Sequence, residues 1–109
     1  MQDISPTVDF PYLEGFAAGD FVVIDAVLGL FCEQAQIWMA LLETDGDQWI
    51  DAVHTIKGAA RGIGAFPLGE ACERAEAVGP AGIGAVRRAL DAALLEVEAY
   101  RQGLAVRQA

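Results

Sequence analysis

Apolar residues recur along this chain at spacings of three and four, and almost nowhere at the spacing of two that a half-buried strand requires. The clearest case runs from Phe21 to Glu43. There Ile24, Leu28, Phe31, Ala35, Trp38 and Leu42 fall on one seam of a helix about six turns long. Asp20 precedes it and suits the N-cap, where its carboxylate can accept from the open backbone N–H groups of the first turn. Upstream, "DFPYLEGFAAGD" predicts a short helix with Phe10, Leu13 and Phe16 near one side, ending at Gly19. "TDGDQ" stops the long helix, with Gly46 suited to a left-handed C-terminal cap and Asp47 to capping the next start.

The third helix is expected from Gln48 to about Ala65, with Gly64 ending it ahead of Pro67. Pro67 fits a first helical position, because its missing N–H would have had no partner, and it opens "LGEACERAEAV". "GPAG" closes that stretch. The last helix is expected from about Ile83 to Leu104, with Ile83, Val86, Leu90, Leu94, Val97 and Leu104 toward the core. Short connections between long amphipathic helices favour antiparallel neighbours. The expected fold is therefore all-α: an antiparallel up-down four-helix bundle with a short additional N-terminal helix, spanning residues 8–105 behind a flexible tail of residues 1–7.

Composition supports one packed domain. The chain has 109 residues, of which 54% are hydrophobic, and a mean hydropathy of +0.33, well away from the disordered class. Its net charge of −9 sets up a field that repels phosphate backbones and anionic lipid. Nucleic acid and membrane are thus not expected partners. The longest nearly uncharged run, Phe21 to Cys32, is interrupted by Asp25 and falls short of the roughly 20 residues that span a bilayer. "MQDISPTVDF" carries acids where a secretory signal carries bases, so a cytoplasmic monomer is expected. Cys32 and Cys72 form no metal knuckle and are read as small apolar residues on buried faces.

The candidate chemistry lies in "HTIKGAARGIGA", which holds the chain's one histidine. At about 100° per residue, Trp49, Val53, Ile56, Ala60 and Ile63 cluster in an arc of roughly 80° on the core side, and His54 points away from it. Lys57, Gly58, Arg61 and Gly62 share the histidine's side, within about 80° of it on the same wheel. Each interior glycine forgoes about 1 kcal/mol of helix stability relative to alanine, so helix stability did not select them. Gly58, one turn from His54, leaves room beside the imidazole for a bulky group; Gly62 can also serve a close helix contact. Lys57 and Arg61 are placed to offset negative charge arriving at the ring. In so acidic a protein, this pattern points to phosphate: a neutral imidazole that attacks a phosphoryl group and carries it. Such a ring needs its other nitrogen held as N–H by an acceptor. Glu70, Glu73 and Glu76 on the next helix are candidates.

The run from His54 through Lys57-Gly58 to Ile63-Gly64 resembles the signature of histidine-containing phosphotransfer (HPt) domains. Gly19-Asp20 before the long helix, Leu28 and Phe31 within it, the acidic turn, and Leu68, Cys72, Arg74 and Glu76 extend the resemblance over nearly the whole chain. It implies a four-helix bundle that takes a phosphoryl group on His54 from a receiver-domain aspartate and passes it to another receiver. Lys57 is then the cation near the phosphoryl group and Gly58 the residue that gives access. Many members place a Gln or Glu of the next helix against the imidazole, and the matching position is Glu76. Arg61 and Gly62 occupy variable positions, so their roles rest on the helical wheel. The implied partners are response-regulator receiver domains and a hybrid sensor histidine kinase. No cofactor is implied, and Mg²⁺ belongs to the receiver.

Leu13 and Phe16 are further candidates for a receiver-docking surface. A sensor-kinase phosphoacceptor bundle fits less well, because Thr55 and not an acid follows His54. A zinc or acid–base enzyme lacks a ligand cluster. A helical adaptor that has lost phosphorylation is the alternative reading, and on either reading the chain is a carrier or binder without kinase activity of its own.

Overall fold

The structure, a computed structural model, describes residues 7–43 and 46–108, with the side chains of 107 and 108 left aside. Five helices follow in order: α1 Phe10–Phe16, α2 Phe21–Leu42, α3 Gln48–Ile63, α4 Phe66–Val78 and α5 Ile83–Gln108. A 3-10 turn, Pro80–Gly82, joins the last two, and no strand occurs among the described residues. Helix α2 packs on α3 and α5, and α4 packs on the same two, so the four long helices surround one core with α1 against α2 and α3.

The seam of α2 is buried at all six positions, and Phe31 and Trp38 meet edge to face within it, ring centroids 5.6 Å apart. Val53, Ile56, Ala60 and Ile63 face it from α3, with Ala52 beside them and Trp49 only half-buried. Helix α5 contributes Val86, Leu90, Ala93, Val97 and Leu104, while Ile83 and Leu94 sit half-buried at its margin. Helix α1 ends at Phe16, short of Gly19, and α3 at Ile63, just before its Gly64 cap; two further differences have simple causes. Helix α4 begins at Phe66, one residue before the expected start, because proline is tolerated in any position of a first turn, where N–H groups lack partners. Helix α5 continues past Leu104 to Gln108, since no proline or left-handed glycine follows to stop it.

Caps and turns set the joints. Asp20 accepts from the Val22 and Val23 amides at 3.1 and 3.2 Å, and Asp9 accepts from the Tyr12 amide at 3.1 Å. Asp47 occupies the N-cap of α3 without making a side-chain cap bond. Gly46 is left-handed, at φ 97°, but α2 has already ended at Leu42, with Glu43 as its C-cap; Thr44 and Asp45 of the expected stop lie outside the described residues. Gly64 caps α3 at φ 86°, and its carbonyl accepts from the Asp9 amide at 2.9 Å. A Cβ there would stand 2.7 Å from the Asp9 carbonyl oxygen, so both the dihedral and the contact require glycine.

Two expectations change. Leu13 is 4% exposed and belongs to the core, because α1 turns that side inward; it cannot form a docking surface, whereas Phe16 is 80% exposed. And α2, at 22 residues with a hydropathy of 1.4, is long and apolar enough to cross a membrane by length and composition alone, despite Asp25; in this fold its apolar seam is the bundle core.

Residues 1–6 of the expected tail lie outside the described residues, but Thr7 is tied down. Glu96 of α5 accepts from the Thr7 and Val8 amides at 2.7 and 2.8 Å, seating Val8 in the core. Burial pushes the Glu96 carboxyl up, but the bonds from Thr7 and Val8 outweigh it and hold the group below its ordinary range. A lowered carboxyl contributes stability above its unfolded value, and that contribution is lost as pH falls toward the folded value. Glu96→Gln leaves one of the two backbone amides without its acceptor and should cost about 1 kcal/mol at pH 7, the bond being partly exposed. Urea midpoints taken from neutral pH to below about pH 4.3 should fall less steeply in the variant than in the parent.

Candidate functional site

Helix α3 buries one side against α2 and α4 and turns His54 outward, with 74% of its side chain exposed. Helix α4 returns beside it. Glu76 sits with one oxygen, Oε2, 3.4 Å from His54 Nδ1 and the other, Oε1, accepting from Lys57 Nζ at 2.5 Å. A carboxylate can only accept, so this long contact is a hydrogen bond when the ring carries its proton on Nδ1, the tautomer in which Nε2 keeps its lone pair. The Lys57 ammonium holds the Glu76 carboxyl below the usual carboxylate range; partial burial opposes this and His54 adds to it. Glu76 is thus ionised at neutral pH.

One helical turn further along α3, Arg61 bonds Glu73 at 2.9 Å. Its aliphatic stem lies across Gly69 of α4, where a Cβ would stand 3.3 Å from Arg61 Cγ. Glu70, the third candidate acceptor, is exposed and reaches neither the histidine nor the cations. Sequence reasoning missed that both cations of α3 are already matched by carboxylates of α4. The available signal was a pair of cations four apart facing a pair of acids three apart, which share a face on each helix.

The two glycines of the histidine face have no packing role within the chain. A Cβ at Gly58 or Gly62 would meet nothing within 4 Å, so Gly62 does not serve a close helix contact. Beneath the site, Cys72 is fully buried, and burial together with Glu76 pushes its thiol up to about 11, so it stays protonated. Cys32 is half-buried on α2 and not fully inside as expected, and both cysteines are free thiols. Among the described residues no group of three or more His, Cys, Asp or Glu side chains is arranged to hold a metal.

The family model of the Hpt domain matches residues 26–108. This chain belongs to the Hpt domain family. Among solved structures it is similar to the crystal structure of histidine phosphotransferase ShpA from Caulobacter crescentus, at 60% identity and a TM-score of 0.86 over 94% of this chain and 97% of that one. A search of curated proteins found no match. Family membership and this likeness support phosphotransfer as the function. Hpt proteins are carriers, not autonomous kinases, and act with receiver domains and histidine kinases in phosphorelays.

Beside the histidine of this Hpt domain, an apolar cleft of about 420 Å³ opens between α2 and α3. Val27, Leu30, Thr55, Ala59 and Gly62 are among the residues that line it, and Leu30 is 57% exposed. The sequence signal for it was the apolar positions of α2 that fall off the buried seam.

Substituting the glycines should separate their roles. Gly58→Ala should raise stability by about 1 kcal/mol, because the methyl group enters open space and the helix gains alanine's propensity. Gly64→Ala should lower it by at least about 1 kcal/mol for the left-handed dihedral alone. Urea unfolding of the two variants checks both signs; a less stable Gly58→Ala protein would mean that position 58 packs internally.

Proposed function

We propose that this Hpt domain, residues 8–105, is a cytoplasmic phosphocarrier of a multistep relay, with His54 as the phosphorylated residue. The observation that carries the reading is an imidazole 74% exposed whose Nδ1 is backed by an ionised carboxylate. The bundle is read as antiparallel: Lys57 pairs with Glu76 and Arg61 with Glu73, while Asp25 pairs with Arg101 and Glu43 with Arg87. In each set the partner's number falls as the first number rises, as opposite chain directions require.

The Nε2 lone pair attacks the phosphorus of a receiver's aspartyl phosphate. The P–O bond to the aspartate breaks, and its electron pair leaves with the receiver's carboxylate. The ring becomes an imidazolium whose Nδ1–H is steadied by Glu76. Lys57 lies one turn along, positioned to approach the phosphoryl oxygens, and Gly58 leaves the approach open. Transfer onward reverses these steps at a second receiver. Mg²⁺, where required, is held by the receiver, and a hybrid sensor histidine kinase supplies the first phosphoryl group. Arg61, committed to Glu73, acts at the edge of the site. The cleft beside Thr55 is the receiver-docking surface on this reading, because it adjoins the histidine and offers exposed apolar area that the chain itself leaves uncovered.

Intact-protein mass after incubation with phosphorylated receiver domains tests the proposal. One acid-labile phosphoryl group should be gained, and His54→Gln should gain none. Absence of any gain across a panel of receivers, with the protein folded, would favour the non-phosphorylated adaptor.

Two variants probe access and docking. Gly58→Ala should slow receiver-dependent labelling while leaving the fold more stable. Leu30→Asp should slow it by on the order of tenfold or more, since a buried leucine contact is worth about 1.5–3 kcal/mol.

A further inference from the structure

We propose that Glu76 sets how readily a phosphoryl group leaves His54, by keeping the Nδ1 proton on the ring and holding Lys57 back from the phosphoryl oxygens. This rests on the reading of His54 as phosphoacceptor. Both oxygens of one carboxylate are committed: Oε2 to the imidazole at 3.4 Å and Oε1 to the ammonium at 2.5 Å. Lys57 is the more enclosed partner, 21% exposed against 74% for His54, so the ammonium and carboxylate form the fixed pair and the ring stands outside it.

Formal charges show the consequence. Before loading, neutral imidazole, Lys57 and Glu76 sum to zero. After loading, the phosphoryl dianion faces an imidazolium and an ammonium, but the carboxylate remains between them and the site is left negative. Among the described residues the other cation on this face of α3, Arg61, is bonded to Glu73. The carboxylate therefore repels the group that the ring carries, and it occupies the cation best placed to steady that group.

The same carboxylate acts on the leaving group. When the N–P bond breaks, its electron pair returns to Nε2. With Nδ1 protonated, the departing species is a neutral imidazole; with Nδ1 bare it would be an imidazolide, a far poorer leaving group. An ionised acceptor at Nδ1–H favours the protonated ring. Repulsion, cation capture and proton retention all shorten the life of the loaded state, so the site is poised to give the phosphoryl group away. A glutamine at 76 accepts the same ring N–H without the charge. It also releases Lys57 to the phosphoryl oxygens.

The test needs no receiver. The full chain is loaded with phosphoramidate, the donor is removed, and loss of phosphate to water is followed by intact mass for the parent, Glu76→Gln and Glu76→Ala, with His54→Gln as blank. Both position-76 variants should keep their phosphoryl group longer, by on the order of tenfold, since one carboxylate charge beside the dianion and one captured ammonium are removed together. Nitrogen-15 spectra of the loaded imidazole should show Nδ1 losing its proton at lower pH in Glu76→Gln than in the parent. A packing role for Glu76 would not produce that shift. Among the described residues, Glu76 is the charged group in contact with this ring. Adding Lys57→Met should shorten the lifetime more in the Glu76→Gln background than in the parent, because only there is the ammonium released. Equal lifetimes in parent and variants, with His54 loaded, would overturn this inference and leave the phosphoacceptor reading standing. Failure of His54 to accept phosphate from phosphoramidate and from receivers alike would overturn that reading and this inference with it.

Discussion

The site depends on the reversal of the chain at Gly64. His54 lies about three helical turns before that glycine and Glu76 about three turns after the start of α4. With 1.5 Å of rise per residue, equal lengths on either side of a tight turn bring the two side chains to the same height. Gly64 fixes the reversal by its left-handed dihedral and by the Asp9 carbonyl against it, which also anchors α1. The buried faces, Val53, Ile56 and Ala60 on α3 against Leu68, Cys72 and Ala75 on α4, then hold the rotation of each helix. Sliding one helix past the other by a turn would move about 5.4 Å, and neither oxygen of Glu76 would reach its partner.

That register explains why an acidic protein can present a cationic strip without leaving it uncompensated. Lys57 and Arg61 are separated by one turn, and Glu76 and Glu73 meet them in reverse order. The pairs are at least partly exposed, so each contributes little to stability. Their consequence is positional: they fix where the charges stand beside His54. Gly69 belongs to this arrangement, since it leaves the bed on which the Arg61 stem lies.

Much of this was legible in the sequence because it is periodic or local. The α2 seam, the Asp20 cap and the Gly64 terminus each follow from spacing or from one residue's conformational preference, and all three appear as expected. The Nδ1 partner was narrowed to three carboxylates on α4, but choosing Glu76 required the resemblance, because the rotation of one helix against another is not written in either helix's own period. For the same reason the pairing of Lys57 and Arg61 with acids went unseen. Leu13 and Phe16 were placed on one side of a short helix, yet only Leu13 is buried; a seven-residue helix has too few turns for its wheel to locate the core.

The glycines of α3 and α4 show why residue type alone does not reveal purpose. Gly64 is required by its backbone, and Gly69 by an arginine stem from the neighbouring helix. Gly58 and Gly62 are required by nothing within the chain: their φ values are ordinary and a methyl group would enter open space. A helix that forgoes about 1 kcal/mol at each of two such positions must be answering to something outside itself. Gly58 opens beside the imidazole and Gly62 onto the cleft that α2 and α3 share. The missing side chains thus leave open the two places on this face that the chain itself does not fill, one beside the imidazole and one over the cleft.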